Sequence, residues 1–255
     1  MKCLTKFSRK CFIFGAKAAF LKKTDIGIIL NRISYSETSV VVKCFTQEHG
    51  LKAFLVQGGK KKYSSALQVM MPVEFTFYQK KDELAKMYDP AQVLNLNEVL
   101  FHPLKSSYLF FQSEILVQCL KEGQIDGNLF RFAMEELVWL NLHDNHANYL
   151  LSWLLELCNI LGFFPNVIDP SAWEFDLQNG EIGSGLVRTS QCVSSPEIRV
   201  LSQLLLSEKE ARLKLQIPKE SRRFLLNLLL DYFKIHVSGF KTPKSLEVYQ
   251  VIWYE

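Results

Sequence analysis

Four consecutive residues, Lys60-Lys61-Lys62-Tyr63, follow Gly58-Gly59 and hold the densest binding chemistry in this 255-residue chain. Three ammonium groups beside a phenol ring can neutralise phosphates and stack a base, which is the sequence-independent chemistry of nucleic-acid backbone binding. The same residues also suit a solvated hairpin tip whose lysines serve solubility. Arg32, Tyr35, Lys43, Lys52, Lys80, Lys81 and Lys86 add cations and an aromatic ring, opposed by Glu37, Glu48, Asp82 and Glu83. Residues 24–99 carry nine basic and eight acidic residues, so phosphate binding there should be weak and salt-sensitive.

Signatures of catalysis are absent from the sequence. There is no GxxxxGK[ST] loop, no GxGxxG after a strand, no GxSxG elbow and no HExxH. Gly58-Gly59-Lys60 lacks the spacing and the following helix of a phosphate loop. His143 and His146 flank Asp144-Asn145, a helix boundary, and read as a surface loop and not a metal site. Arg222 and Arg223, in the first turn of a long helix, could meet an acidic peptide tail or DNA, or simply keep that helix soluble.

The elements that must carry these side chains change character along the chain. From Thr24 the apolar period is two. Ile26, Ile28 and Leu30 share one strand face, Val40 to Phe45 and Leu51 to Val56 form a hairpin around Gln47-Glu48-His49-Gly50, and Val73, Phe75 and Phe77 alternate with polar residues. Leu84 to Leu94 offers a fifth strand interrupted at Asp89-Pro90. Five short strands in about seventy residues predict a small barrel with a core of Phe45, Phe54, Phe75 and Phe77. The lysine cluster should then project from a mobile loop after the third strand.

Beyond His102-Pro103 the period becomes helical, with Leu104, Tyr108, Phe111 and Ile115 at i, i+4, i+7 and i+11. Further helices are predicted at Asn128 to Leu142, Ala147 to Leu161 ending at Gly162, Pro196 to Ser207, and Lys219 to Val237. Between the third and fourth lies a polar stretch whose Asp176-Leu177-Gln178-Asn179-Gly180 marks a turn between strand-like pieces. The predicted fold class is therefore α+β with two domains: a five-stranded OB-fold barrel at 21–99, then an all-α helical domain at 100–255 with a small β-hairpin-like insertion at 165–192.

Charge is distributed unevenly along that layout. Residues 1–99 hold 16 basic and 8 acidic residues, and residues 100–255 hold 14 and 18. Residues 1–23 supply seven lysines and arginines and no acid, so residues 1–20 read as a basic amino-terminal extension. Its apolar run, Cys11 to Ala16, is too short for an export signal. The run Tyr149 to Phe164 is broken by Ser152, Glu156 and Asn159 and reads as a buried helix, with no membrane span. Six scattered cysteines without a CxxC pair indicate reduced thiols in a cytoplasmic protein, with Cys44, Cys119 and Cys158 acting as small buried hydrophobes.

The runs Thr24-Asp25-Ile26-Gly27-Ile28-Ile29-Leu30, Tyr35-Ser36-Glu37-Thr38-Ser39, Phe45-Thr46-Gln47-Glu48-His49-Gly50 and Gly58-Gly59-Lys60-Lys61-Lys62 with Ser64-Ser65 resemble, in order and spacing, the amino-terminal part of the RecO family of bacterial recombination mediators. Tyr232, His236, Gly239-Phe240 and Lys244-Ser245-Leu246 are similar to that family's ending. The resemblance extends from Leu21 to about Val251. It implies an OB-fold followed by helices in a cytoplasmic, nucleoid-associated protein that is not an enzyme and needs no cofactor. Its implied work is to bind single- and double-stranded DNA, anneal complementary strands, engage RecR and the carboxy-terminal tail of single-stranded-DNA-binding protein, and so help load RecA. A DNA-contact role passes by resemblance to Lys60, Lys61 and Lys62, while Arg32 and Lys43 join them on charge and strand face. The alternative is an adaptor whose helical domain holds an acidic tail, with little direct DNA binding.

Two departures from the family stand out. Many members bind zinc through four cysteines in the helical domain. Phe164 to Cys192 here offers only Cys192, so no metal is predicted, and the Asp176–Gly180 turn with packed Trp173 and Phe175 must hold the insertion together. About twenty residues also precede Leu21 where members begin close to the first strand, which implies either an upstream start codon in the gene model or a basic arm that adds DNA affinity.

Overall fold

A computed structural model describes residues 22–80, 83–144, 147–185 and 191–247. The basic extension at 1–20 therefore lies outside the described residues, as do Lys81 and His146.

Five strands, β1 (Lys23–Ser34), β2 (Val40–Thr46), β3 (Gly50–Val56), β4 (Pro72–Tyr78) and β5 (Ala85–Gln92), close into a barrel of order β1-β2-β3-β5-β4. Only the β3–β5 contact is parallel. Closure removes the exposed sheet edges that five short strands would otherwise present. Inside lie Val40, Val42, Phe54, Val56, Phe75, Phe77 and Met87, all buried, with Phe54 edge-on to Phe75 and Phe77 at 5.1 and 5.3 Å.

β1 departs from its predicted single face. Ile28 pairs with Phe45 and Ile29 with Cys44, but Asn31 pairs with Lys43, so one extra residue sits in β1 near Leu30. Such a bulge exchanges the inward and outward residues beyond it. Ile28, Ile29 and Leu30 are all buried because β1 is covered twice, by the barrel interior and by the first long helix. The predicted break at Asp89-Pro90 is likewise a bulge: Glu74 pairs with Ala91 but Thr76 with Tyr88, Asp89 takes φ 47°, and β5 runs on.

The hairpin glycine performs two tasks. Gly50 has φ 65°, and a Cβ there would lie 2.2 Å from the Gln124 carbonyl oxygen, so the β2–β3 turn abuts the connection between the two helices that flank residues 120–126. Gly123 donates to the Leu51 carbonyl at 3.0 Å, and Phe45 meets Phe130 edge-on at 5.3 Å.

The helices begin with α1 (Asn97–Phe101), α2 (Pro103–Cys119), α3 (Gly127–Leu142) and α4 (Tyr149–Leu161). Pro103 occupies the first position of α2, where its missing N–H costs nothing. Asp126 Oδ1 accepts from Leu129 N at 2.9 Å to cap α3, and Gly162 at φ 83° ends α4. α4 is buried on nearly every side, as the central helix of a packed core is. No helix among the described residues is long and apolar enough to cross a membrane.

The insertion is a four-stranded sheet, more than a hairpin: β6 (Asn166–Val167), β7 (Glu174–Asp176), β8 (Glu181–Ile182) and β9 (Cys192–Ser194), ordered β6-β8-β7-β9. The turn between β7 and β8 is held by Asp176 Oδ1, which accepts from Gln178 N at 2.9 Å and Asn179 N at 3.2 Å. Phe175 is fully buried, but Trp173 is 56% exposed, so the expected packing of Trp173 does not occur. Trp173 precedes β7, whose three residues are all buried, and Phe175 packs against Tyr232.

The chain continues through α5 (Glu197–Leu206), α6 (Lys209–Lys214) and α7 (Lys219–His236). Tyr232 on α7 clamps the insertion, donating to the Phe163 carbonyl at 2.8 Å and abutting Gly180, while His236 meets the Leu177 carbonyl at 2.9 Å. Two ion pairs, Lys209 with Glu136 and Arg212 with Glu156, fix the short α6 against α3 and α4. At the far end, Gln118 bonds both the N–H and the carbonyl of Lys241, returning the last described segment to α2.

Candidate nucleic-acid interface

The lysine cluster lies in the turn-rich connection from β3 to β4, over one mouth of the barrel. Contrary to the mobile loop expected, that connection is fastened. Leu67, Ala66 and Met70 are buried beneath it, and a Cβ on Gly59 would strike Val40 at 2.4 Å, so the backbone presses on the barrel wall. Lys60 N donates to the Thr38 carbonyl at 3.2 Å, tying it to the β1–β2 loop. That loop is itself closed by Tyr35 N and Ser36 N donating to the Ser39 carbonyl at 3.0 and 3.2 Å.

The β1 bulge decides the role of Arg32. Arg32 is the cross-strand partner of Val42, whose side chain points inward, so its guanidinium is carried to the barrel mouth. There it donates to the Gly59 carbonyl at 3.3 Å and the Ser64 carbonyl at 3.5 Å. Lys43 faces outward opposite Asn31 and Ala53 and is exposed. Arg32 and Lys43, grouped together in the sequence, therefore stand on opposite sides of the sheet.

The three lysines are not equivalent. Lys60 is half-buried and Lys61 exposed, and neither forms an ion pair among the described residues. Lys62 Nζ lies 2.6 Å from the Tyr63 hydroxyl, which donates to Asp89 Oδ1 at 2.8 Å, and Lys62 itself is 3.9 Å from that carboxylate. The Tyr63 hydrogen bond raises the Lys62 pKa above the ordinary lysine value. Phe45, Phe54, Phe75 and Phe77 are buried and so are not stacking platforms.

Other predicted sites lie elsewhere. Arg222 and Arg223 stand on α7, with the Arg222 guanidinium donating to the Ile217 carbonyl at the foot of its own helix. His143 stacks on Trp139 at 4.4 Å and bonds its carbonyl at 2.8 Å. Among the described residues no group of three or more His, Cys, Asp or Glu could hold a metal ion.

Sequence reasoning missed Asp25 and His49. The Asp25 carboxylate is buried at the other end of the barrel and accepts from Ile26 N at 2.8 Å and Glu48 N at 3.3 Å, with His49 Nδ1 at 2.6 Å. A carboxylate so surrounded locks the β2–β3 turn to β1. Nearby, Lys52 lies 5.2 Å from the Phe77 ring, and burial lowers its pKa.

A closed OB-like barrel with a basic connection over its mouth, followed by helices, places the chain in the class of OB-fold proteins, whose barrels serve as oligonucleotide- or oligosaccharide-binding modules. Residues 21–95 match the family profile described as "Recombination protein O N terminal", and residues 101–246 match "Recombination protein O C terminal". The chain belongs to the RecO family. It is 29% identical over 232 residues to the "DNA repair protein RecO" of Flavobacterium johnsoniae, covering 89% of this chain and 97% of that protein. It is 26% identical over 236 residues to the protein of the same description from Bacteroides fragilis, covering 89% and 97%. Against the one from Streptococcus thermophilus it is 23% identical over 249 residues, covering 86% and 92%. Its function accordingly lies in DNA repair and recombination.

Proposed function

We propose that this chain is a non-enzymatic recombination mediator that holds DNA by its backbone at the β3–β4 connection and anneals complementary strands. The observation that carries this reading is the fastened loop: Arg32 and Thr38 grip its backbone, so the half-buried Lys60 and the exposed Lys61 are held on an ordered base. Lysines that displace counterions lower the repulsion between two phosphate chains and leave the bases free to pair. No base-specific donor is needed, which suits a protein that works on any sequence. In this reading Lys43 extends the basic track, Arg32 positions the loop without meeting phosphate, and residues 21–99 and 100–255 are separate working units. The helical unit recruits RecR and the tail of single-stranded-DNA-binding protein, with Arg222 and Arg223 as candidate contacts for the latter, and RecA is loaded in consequence.

The test is a salt titration of fluorescence anisotropy with bare thymidine oligonucleotides. Replacing Lys60, Lys61 and Lys62 together by Ala should weaken binding and flatten the dependence of log K on log salt by about 0.7 for each phosphate that is no longer neutralised. Unchanged affinity and slope in a folded triple variant would remove the loop from the mechanism. Absence of binding by the unaltered protein would favour the adaptor reading.

A further inference from the structure

Register places one uninterrupted row of side chains across the outside of the barrel: Ile33 on β1 opposite Val41 on β2, Val41 opposite Leu55 on β3, and Leu55 beside Lys86 on β5. The row toward the strand middles is Asn31, Lys43 and Ala53. Helices cover the outward side chains of Ile28 and Leu30, but not this end: Ile33 is 59% exposed, and Val41 and Leu55 are half-buried. Tyr35, two residues past Ile33, is 67% exposed at the turn whose Thr38 carbonyl receives Lys60 N. A large aliphatic residue and an aromatic ring thus stand in water at the end of β1 that leads into the turn bonded to Lys60, with Lys43 on the neighbouring row and Lys86 at the β5 end of the same row.

Burying Ile33 and Tyr35 inside the fold would have been the ordinary way to stabilise this end of β1, since each exposed apolar side chain forgoes about 1.5–3 kcal/mol. Polar residues would serve a purely solvated edge equally well. The combination of apolar faces with flanking ammonium groups is complementary to a single nucleic-acid strand, whose bases offer π-faces and whose phosphates run alongside. Glu37, exposed in the same turn, repels phosphate there, so the phosphates belong on the Lys43 and Lys60 sides and a base on the ring.

We infer that Tyr35, backed by Ile33, is a base-stacking platform on which an unpaired nucleotide rests while the lysines hold its phosphates. The inference rests on the DNA-binding reading above and adds to it a preference for single strands, because the faces of a duplex base are already covered by its neighbours.

The test compares a labelled thymidine strand of about 30 nucleotides, long enough for several site sizes, with a duplex of equal length, using the full chain. Tyr35→Ala should weaken single-strand binding roughly 5- to 150-fold, the range for one missing base–aromatic stack, and leave duplex affinity and the salt slope unchanged. Tyr35→Phe should bind as the unaltered protein does. In Tyr35→Trp, the indole emission should be quenched on saturation with the strand. If the Ile33→Ala/Tyr35→Ala double variant, shown folded by its melting curve, binds the strand as tightly as the unaltered protein, or if Tyr35→Trp emission does not respond to saturating strand, the platform is refuted and this face belongs to a protein partner. Failure of the lysine loop is distinguishable, because it shows as an unchanged salt slope in the triple lysine variant.

Discussion

Tyr63 donates its hydroxyl hydrogen to Asp89 at 2.8 Å, across 26 residues of chain, and so brings a carboxylate to the edge of the lysine cluster. Asp89 can do this because the bulge in β5 turns it out at φ 47°, a conformation that Asp and Asn tolerate better than most residues. The nearby Lys62 is thereby partly neutralised before any DNA arrives.

Asp89→Asn keeps the backbone conformation and the hydrogen-bond acceptor but removes the charge. Binding of single-stranded DNA should tighten at low salt, and the salt slope should steepen by up to about 0.7, the value for one further neutralised phosphate. Anisotropy titrations between about 50 and 200 mM salt measure both.

Arg32→Gln should loosen the β3–β4 connection without removing a lysine from the phosphate track. Amide hydrogen exchange over residues 57–69 should quicken, and overall stability should fall by about 1 kcal/mol, the net worth of the backbone hydrogen bonds that a half-exposed side chain gives up. The salt slope should stay as it was, which separates a positioning residue from one that meets DNA.

Gly50→Ala forces a Cβ to within 2.2 Å of the Gln124 carbonyl and strains a left-handed backbone. Stability should drop by at least about 2 kcal/mol, and a thermal melt should register the loss as several degrees. Gly123→Ala, where a Cβ meets nothing within 4 Å, is the control for space, since its φ of 72° carries the same backbone strain.

Burial raises the pKa of Cys44, with Asp25 adding to the effect, and raises those of Cys158 and Cys119, the last to about 12. Each folded value lies above the ordinary thiol value near 9, so the stability these groups contribute is complete below about pH 9 and is lost as pH rises through the folded values. Denaturant unfolding should show stability declining above about pH 9, each thiol adding up to about 1.4 kcal/mol per pH unit. At mildly alkaline pH, below that onset, the three thiols should resist a disulfide exchange reagent until denaturant is added.

The barrel was legible because its strands obey a period of two, and the turn at Gln47–Gly50 because Gly50 has no substitute there. The two bulges were not, since an inserted residue near Leu30 or at Asp89 leaves composition and alternation almost untouched while reversing which side chains face out. Hence Arg32 and Lys43 looked alike in sequence and differ in space. α1 and α6, of five and six residues, are too short to display a helical period, and α6 owes its place to Lys209 and Arg212 reaching acids 73 and 56 residues away. Within the candidate site, the lysines announced themselves by repetition. Asp89 and the Asp25–His49 pair carry no local signal, because Tyr63 stands 26 positions from Asp89 and His49 stands 24 from Asp25.

The bonds between Gln118 and Lys241 span 123 residues, whereas every strand pairing of the barrel falls within Lys23–Gln92. On a ribosome, the barrel can therefore close while most of the helices are still unmade. The outer surfaces of Ile28, Leu30 and Phe45 must wait for α2 and α3, and α2 gains its Lys241 partner only when that segment emerges. The nascent protein thus passes through a stage with its sheet complete and an apolar flank uncovered, and it is in that interval, before the helices are made, that the chain is most exposed to aggregation.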